Sequence, residues 1–423
     1  MTYVEFYDAV SVENIATCLS CMPDRVILIG DGAQIAQRKA GYEQLFRERG
    51  YTDVEILIKS IPKTNLKMAA EKIRQLVDTY GDCVFDITGG EELLVLALGM
   101  VCATAPEGKI QIHKFNLAEG KMYDCDFDGE TVFRDIPMLS VQENIRIYGG
   151  DVVFGEAGDM TTKDTCRWEF TEDFVADVDA LWRICCQEEH YWNLKCIIFE
   201  AICEADGTGN LTVSAAIEDL KRYLPSNVYY NFGDKLIPYL CSTGLLTYFH
   251  DNGTMVTLTF KNEQVKRCLL IEGQVLELKM FLLARGLTDG QAPMYNDALC
   301  GVKIDWDGVI HDEENKDVEN EIDILLMHGV VPIFISCKNG IKVEVDELYK
   351  LQTVAHRFGG PYAKMVLIAP TLGDNEFTTN LCERALEMGI HVIGGAALRG
   401  ADDAALGEAL SKLWKKTNGH TVF

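Results

Sequence analysis

The fold of the N-terminal third is decided by the stretch Cys83-Val84-Phe85-Asp86-Ile87-Thr88-Gly89-Gly90-Glu91-Glu92-Leu93. It begins as a short apolar run, the pattern of a buried strand, and passes through Thr-Gly-Gly directly into a helical pattern from Leu93 to Met100. Two glycines let a backbone approach a ligand closely, and a helix start offers free N–H groups and a positive dipole end that suit phosphate. The hydroxyl of Thr88 adds a donor. An ordinary strand-to-helix turn has the same local chemistry, so the sequence leaves both interpretations open.

Strand and helix patterns alternate on both sides of this stretch. The apolar run Arg25 to Ile29 ends in Gly30-Asp31-Gly32, Val54 to Ile58 is another such run, and Asn65 to Thr79 repeats apolar side chains at helical spacing. This alternation predicts a Rossmann-like parallel sheet covered on both faces, with ligands beyond the C-terminal ends of the strands. Gly30-Asp31-Gly32 begins like a dinucleotide fingerprint, but Ile35 occupies the position that requires Gly or Ala.

A serine, Ser11, follows the first predicted strand, which runs from Tyr3 to Val10. Together with the Thr-Gly-Gly stretch it resembles the ligand loops of the CRISPR-associated Rossmann fold (CARF) domain, over about residues 1–150. The resemblance implies a homodimer whose two-fold axis passes through a cyclic oligoadenylate. The candidate ligand-binding residues are Ser11, Gly30, Asp31, Thr88, Gly89, Gly90 and Glu91. Because carboxylates repel phosphate, we expect Asp31 and Glu91 to face ribose or base, or to cap a helix.

Residues 151–270 are predicted to form a connector. A helix from Leu211 to about Tyr223, a second from Lys235 to Leu245 and a hairpin turning at Asp251-Asn252-Gly253 together resemble a winged helix-turn-helix. The candidate recognition helix carries little positive charge. A spacer or dimerising module that touches no DNA is therefore the alternative interpretation.

Residues 271–423 are predicted to form a third unit of α/β type. Its predicted elements are a helix from Gln274 to Arg285, strands Ile322 to Met327 and Pro332 to Cys337, a helix from Glu347 to Phe358, a strand from Met365 to Ala369, a helix near Asn380 to Met388, and a strand from His391 to Ile393. Asp323 lies on one strand of the predicted hairpin and Lys338 on the next. A carboxylate and a lysine on adjacent strands can converge on one site.

Carboxylate oxygens suit Mg²⁺ or Mn²⁺, which lower the pKa of a bound water and screen a phosphodiester. The Asp323 and Lys338 pair resembles the core of PD-(D/E)xK nucleases, and more closely the nuclease domain that follows CARF domains in cyclic-oligoadenylate-activated effectors. The stretch Gly359-Gly360-Pro361-Tyr362-Ala363-Lys364 supports the closer match.

One position departs from that pattern, because Ser336 stands where the acid two residues before the lysine is expected. Glu347 on the following helix, Glu277 on the earlier helix and Glu321 on the strand face of Asp323 are candidates to replace it. The candidate catalytic residues are Asp323, Lys338, Glu277, Glu347 and Ser336, and the candidate metal ligands are Asp323, Glu277, Glu321 and Glu347. Without the resemblance, Asp323 fits a hairpin-edge charge, Lys338 a solvated strand end and Glu277 a solvated helix face.

Composition narrows the classes of protein. The 423 residues are 48% hydrophobic and 25% charged, which is globular. Lys and Arg number 39 against 65 Asp and Glu, a net charge of −26, so any contact with nucleic acid is expected to be local. No apolar run reaches the length of a membrane span, the first residues lack a signal-peptide pattern, and 15 Cys are scattered irregularly. We therefore expect a cytoplasmic protein with reduced thiols and no membrane contact.

The sequence thus predicts a nuclease of type III CRISPR defence that a cyclic oligoadenylate activates and that acts on nucleic acid. The resemblance implies cyclic tetra-adenylate as the activator, Mn²⁺ or Mg²⁺ as the metal, and single-stranded DNA or RNA as the substrate. The alternative is a non-enzymatic transcription regulator gated by the same ligand, with a degenerate nuclease domain. The Ser336 substitution is the best support for that alternative.

Overall fold

The computed structural model describes residues 1–8, 10–62, 64–116, 121–125, 132–135, 137–153, 168–188, 191–308, 319–340, 342–372, 376–414 and 420–422. These residues form a mixed α/β structure that contains two seven-stranded sheets, one near each end of the chain. Within these ranges no helix combines the length and the apolar composition that crossing a membrane requires.

The N-terminal unit alternates strands and helices along the chain, as the sequence predicts, and its strands form one sheet. Its elements are β1 (Thr2–Phe6), α1 (Ala16–Cys21), β2 (Arg25–Ile29), α2 (Gly32–Glu48), β3 (Glu55–Lys59), α3 (Leu66–Tyr80), β4 (Cys83–Asp86), α4 (Glu92–Cys102), β5 (Ile110–Asn116), β6 (Lys121–Asp124), β7 (Val132–Asp135) and α5 (Val141–Ile147). The strand order is β3-β2-β1-β4-β5-β6-β7, parallel from β3 to β5 and antiparallel beyond. β1 ends at Phe6, earlier than the predicted end at Val10.

The connector combines helices with a three-stranded sheet. Its elements are α6 (Glu172–Glu188), α7 (Trp192–Asp206), β9 (Thr212–Ala216), α8 (Leu236–Ser242), β10 (Leu246–Asp251), β11 (Met255–Phe260) and α9 (Glu263–Leu270), after a short strand β8 (Asp151–Val152). The sheet order is β10-β11-β9, and both pairings are antiparallel. The predicted hairpin and the predicted second helix are confirmed in this segment.

The helix predicted from Leu211 to about Tyr223 is wrong. Residues Thr212–Ala216 form the strand β9, and only Asp219–Arg222 makes a short 3₁₀ turn. The physical reason is a period of two, because Val213 and Ala215 are buried while the intervening Ser214 Oγ lies 2.9 Å from Thr257 Oγ1 across the sheet. Helix, strand, short helical turn, helix and hairpin is an order typical of winged-helix modules.

The C-terminal sheet is mixed. Its elements are α10 (Gln274–Gly286), β12 (Thr288–Asp289), β13 (Ala292–Pro293), β14 (Asp297–Asp305), β15 (Glu319–His328), β16 (Val331–Cys337), α11 (Val345–Gly359), β17 (Lys364–Ala369), α12 (Glu376–Glu387), β18 (Ile390–Gly394), α13 (Asp403–Ser411) and β19 (His420–Val422). The sheet order is β19-β18-β17-β16-β15-β14-β8. The strands from β16 to β19 are parallel, and β8, β14, β15 and β16 pair antiparallel. All the elements predicted here are present, whereas β14 was not predicted.

Two hydrophobic clusters cover the faces of the C-terminal sheet. One includes Leu325 and Phe334 of the sheet and Phe358 of α11, and it continues into the N-terminal sheet through Val26 and Leu28. The other joins the opposite face to the connector helices and α10. The edge strand β8 also comes from the first two residues of the predicted connector. The division at residues 150 and 270 stays a prediction.

Candidate functional site

The candidate ligand residues of the N-terminal sheet follow strands that end side by side. β1 lies between β2 and β4, and Phe6, Ile29 and Asp86 form their C-terminal ends. Chain order reverses across the β1 and β4 pair, which is where open α/β sheets bind ligands. The structure therefore brings the segments that follow these strands, which contain Ser11, Gly30 and Thr88, to one edge of the sheet.

The glycines of this edge pack against β1 and the residues that follow it. Gly90 has a φ of 94°, and a β-carbon there would lie 2.4 Å from Cβ of Phe6. A β-carbon on Gly89 would lie 2.9 Å from Cβ of Asp8, and one on Gly30 would lie 2.8 Å from Cβ of Tyr7. From the sequence, Gly89 and Gly90 are explained by close approach of a ligand. The structure adds a second reason, which is close approach of their own neighbouring chain.

The remaining predicted ligand residues have defined local roles. The Asp31 carboxylate caps α2, accepting from the backbone N of Ala33 at 2.9 Å, one of the two roles that the sequence analysis left open. Glu91 occupies the N-cap position of α4, and Ser11 is buried. Thr88 Oγ1 accepts from the backbone N of Phe115 at 2.7 Å, which fixes the loop to β5. Its side chain also forms a hydrogen bond with Asp86.

In the C-terminal sheet, Asp323 and Ser336 lie on neighbouring strands and contact each other. Ser336 Oγ donates to Asp323 Oδ2 at 3.1 Å, and the backbone N of Cys337 donates to the same oxygen at 2.6 Å. Both hydrogen bonds that the described residues give to Asp323 end on Oδ2, so Oδ1 remains for another ligand. Burial raises the pKa of Asp323 above its ordinary value, against the opposing effects of Lys338 and these two donors.

Lys338 and Glu347 form an ion pair beside Asp323. Lys338 Nζ lies 3.0 Å from Glu347 Oε2, and Lys350 Nζ lies 2.9 Å from Glu347 Oε1. Burial by itself lowers the pKa of Lys338, but the carboxylates of Asp323, Glu347 and Glu277 outweigh it and raise that pKa. Burial also works against ionisation of Glu347, yet the two lysines hold its pKa below the ordinary value. The lysine is therefore firmly protonated and the glutamate firmly ionised near neutral pH.

These residues share one cleft of about 510 Å³. It is lined by Asn193, Arg267, Ile271, Glu272, Gly273, Gln274, Glu277, Glu321, Asp323, Cys337, Lys338, Asn339, Gly340, Lys342, Glu347 and Lys350. A second hollow of about 210 Å³ adjoins Ser336 and shares Asp323, Lys338 and Glu347 with it. The structure thus brings Asp323, Lys338, Glu277, Glu321 and Glu347 to one cavity.

The cleft has the donor chemistry of a magnesium or manganese site without its final geometry. Asp323 and several glutamates line it, and oxygen ligands are what these ions prefer. Among the described residues, however, no three acidic, histidine or cysteine side chains are grouped closely enough to hold an ion. The carboxylates fit such a metal chemically. To bind an ion together with Asp323, at least one glutamate of the cleft would have to turn toward Asp323 Oδ1.

Several polar residues of this cleft were not predicted from the sequence, among them Asn339, Asn193 and Arg267. Asn339 is buried, and its Oδ1 accepts from Arg399 Nη2 at 2.8 Å, while its Nδ2 lies 3.4 Å from Asn193 Oδ1. Arg267 reaches the cleft from α9, outside the predicted nuclease unit. No local pattern marks any of them, because only tertiary packing brings α7, α9 and the end of β16 together.

The edge of the N-terminal sheet contacts the C-terminal unit directly. The Tyr362 hydroxyl donates to Glu13 Oε1, and Oε2 of Glu13 lies 3.5 Å from where a β-carbon on Gly89 would stand. Tyr362 follows the C-terminal end of α11, whose first turn carries Glu347. Arg357 Nη1 donates to the Tyr148 carbonyl at 2.7 Å and fixes the same end of the helix. One helix therefore reaches from the candidate ligand loops to the candidate catalytic cleft.

The fold of the chain is shared with two solved structures along its whole length. It is similar to protein VC1899 from Vibrio cholerae with a TM-score of 0.74 and 18% identity, covering 99% of both chains. It is also similar to Can2 from Sulfobacillus thermosulfidooxidans, solved in complex with cyclic tetra-adenylate, with a TM-score of 0.65 and 16% identity over 98% of this chain and 97% of that one. No protein-family model and no curated protein matches the sequence. The fold class predicted from the sequence is confirmed.

Proposed function

We propose that this chain is a nuclease of type III CRISPR defence that requires a divalent metal and is switched on by a cyclic oligoadenylate. The observation that carries the proposal is the convergence of Asp323, Lys338 and Glu347 on one cleft. The fold likeness to Can2, which was solved with cyclic tetra-adenylate, supports that ring as the activator and a CARF role for the N-terminal sheet.

Each residue of the cleft has a chemical task in this proposal. A bound Mn²⁺ or Mg²⁺ would supply a water of lowered pKa and would screen the phosphodiester. Asp323 would hold the ion through Oδ1, joined by Glu277, Glu321 or Glu347, while Ser336 Oγ keeps the Asp323 carboxylate oriented. Lys338 holds its proton too firmly to act as a base, so it stabilises the charge that develops on the phosphate oxygens.

Activation would act on the pairing of Lys338 with Glu347. Glu347 cannot contribute fully to a metal site while two lysines hold both of its oxygens. A ring bound between two copies of the chain would displace the loops around Gly89, and the contact between Glu13 and Tyr362 leads from there to α11. A ligand can drive this change only by binding the active arrangement more tightly than the resting one. The proposed assembly is therefore a homodimer around one ring.

A cleavage assay with labelled single-stranded DNA or RNA tests the proposed enzyme. We expect cutting with cyclic tetra-adenylate and Mn²⁺, and a loss of about 100-fold or more in Lys338→Ala. Lys342→Ala is the matched control, because Lys342 lines the same cleft but is largely exposed and pairs with Glu344 at 2.7 Å. If Lys338→Ala cuts as fast as the parent, Lys338 has no role in the chemistry. If the parent cuts neither strand with either metal, the nuclease proposal falls.

The transcription-regulator alternative gains no support from the connector. Its candidate recognition helix, Leu236–Ser242, contains neither lysine nor arginine, and β9 replaces the first of the two predicted helices. A helix that enters a DNA groove without cations lacks the phosphate contacts that supply most binding energy.

A further inference from the structure

Among the described residues, four cationic side chains line the 510 Å³ cleft, and three of them are paired with carboxylates. Lys338 and Lys350 both contact Glu347, at 3.0 and 2.9 Å, and Lys342 contacts Glu344 at 2.7 Å. The fourth cation, Arg267, has no carboxylate within ion-pair distance in the part of the chain that the structure describes. Its Nε and Nη1 are buried and find no hydrogen-bond acceptor among those residues.

Within the described part of the chain, the Arg267 guanidinium lies over an aromatic ring. Its central carbon lies 5.0 Å from the centroid of the Trp168 ring, and Trp168 itself stacks on Phe174 at 5.5 Å with an interplanar angle of 6°. Arg267 lies in the last turn of α9, whose start is capped by Asn262 through a 2.8 Å bond from the backbone N of Val265. Aromatic packing thus holds the guanidinium in place, and Nε and Nη1 have no acceptor among the described residues.

An arginine of this kind fits an anion with several acceptor oxygens. A guanidinium presents its N–H donors in a planar fork that matches phosphate, and arginine gives up its hydration more readily than lysine. Asp323, Glu277, Glu321 and Glu272 supply negative charge to the same cleft, so a free carboxylate ligand would be repelled unless it brought its own cation. A phosphodiester backbone lying beside a metal ion has several acceptor oxygens and brings a cation with it, so it meets both requirements.

We propose that Arg267 binds a backbone phosphate of the nucleic-acid substrate, on the wall of the cleft that the segment Arg267–Glu277 forms. This inference rests on the proposed function and deepens it, because it assigns the strand a second anchoring point besides the scissile phosphate. Lys338 acts on the phosphate that reacts, and Arg267 takes a neighbouring phosphate and fixes the register of the strand. Arg267 is therefore a substrate-binding residue that contributes more to affinity than to the chemical step.

Binding of a fluorescently labelled single strand to protein that cannot cut tests this assignment. The parent for the assay is full-length Lys338→Ala with cyclic tetra-adenylate, in EDTA, followed by fluorescence anisotropy over a range of salt concentrations. We expect Arg267→Gln in this background to weaken binding about 10- to 100-fold. The slope of log affinity against log salt should fall by about 0.7, the value for one phosphate contact on a single strand.

Two further variants separate binding from folding. Arg267→Lys keeps the charge, so it should retain the salt slope and still bind more weakly than arginine, because lysine lacks the planar fork. Arg222→Gln is the matched control, since Arg222 is 78% exposed on the short helical turn of the connector, and it should change neither quantity. Where Arg267→Gln fails to fold, as judged by circular dichroism, Arg267→Lys decides the question.

The outcomes distinguish this inference from the proposed function. Unchanged affinity and salt slope in Arg267→Gln, or full affinity in Arg267→Lys if the Gln variant does not fold, would overturn the role of Arg267 and leave the nuclease proposal standing. A parent chain that binds no strand and cuts none under any condition would overturn both.

Discussion

Replacing Asp323 by asparagine should stabilise the protein while abolishing its activity. Asparagine keeps the shape of the side chain, and its Oδ1 can accept the hydrogen bonds that Ser336 Oγ and the backbone N of Cys337 now give, at 3.1 and 2.6 Å. Lys338 keeps its 3.0 Å contact with Glu347, so the substitution does not leave a lysine without a partner. What it removes is a carboxylate whose ionisation burial opposes.

The sign follows from the raised pKa of Asp323. At any pH between the unfolded pKa and the higher folded pKa, the folded chain binds the proton more tightly than the unfolded chain. Stability from this group is therefore fully present below the unfolded pKa and is lost as pH rises through the folded pKa. An asparagine at this position does not titrate, so we expect Asp323→Asn to exceed the parent in unfolding free energy by about 1 kcal/mol at neutral pH. The difference should vanish in acid.

Urea unfolding at several pH values, together with the cleavage assay, measures both effects. Cleavage should fall by about 100-fold or more, the usual cost of losing one preorganised charge. Asp177→Asn is the matched control, since Asp177 is 5% exposed and accepts two 2.8 Å bonds from Lys261 in a purely structural pair. That control should lose about 2 kcal/mol of unfolding free energy and no activity. An Asp323→Asn protein that is destabilised like the control and still cuts would refute the reasoning.

Three further substitutions probe the ion pair, the ligand loop and the link between them. Glu347→Gln should lose about 1 kcal/mol of unfolding free energy at neutral pH; because the lysines lower the pKa of Glu347, the difference should disappear as pH falls through that pKa, and an unchanged difference in acid would contradict it. Gly90→Ala should lower the unfolding free energy by about 3 kcal/mol, because Gly90 has a φ of 94° and a β-carbon there would lie 2.4 Å from Cβ of Phe6. It should also abolish binding of cyclic tetra-adenylate in calorimetry. Gly99→Ala is the control and should be tolerated, because Gly99 lies in open space on α4. Tyr362→Phe should bind cyclic tetra-adenylate with an affinity within about twofold of the parent, but its ligand-stimulated cleavage rate should fall about tenfold. Equal stimulation in this variant would exclude the contact with Glu13 as the route from the ligand loops to the cleft.

Much of the fold could be predicted because its signals are local. The alternation of apolar runs and helical patterns predicts the N-terminal sheet, and the strands that carry Asp323 and precede Lys338 are apolar runs of ordinary length. The helix prediction for Thr212–Ala216 is wrong because its small and β-branched residues satisfy a helical pattern, and only the partner strand β11 decides for a strand. β14 went unpredicted although Val302 and Ile304 alternate with polar residues.

The candidate site was predictable only in part. Asp323 and Lys338 lie close in sequence, so the hairpin brings them together by local geometry. The pairing of Lys338 with Glu347, the position of Arg267 and the contact between Glu13 and Tyr362 all depend on tertiary packing. A sequence pattern carries no information about such contacts, because each joins segments that only the folded core brings together.

The most direct test of the central claim is single-turnover cleavage of a labelled single strand in four conditions, with and without cyclic tetra-adenylate and with and without Mn²⁺. We expect rapid cleavage only when both are present, because the proposed switch is the cyclic oligoadenylate and the proposed ion completes the cleft around Asp323. Equal cleavage without the ring would contradict the switch. Cleavage that persists in a metal chelator would contradict the chemistry assigned to the cleft.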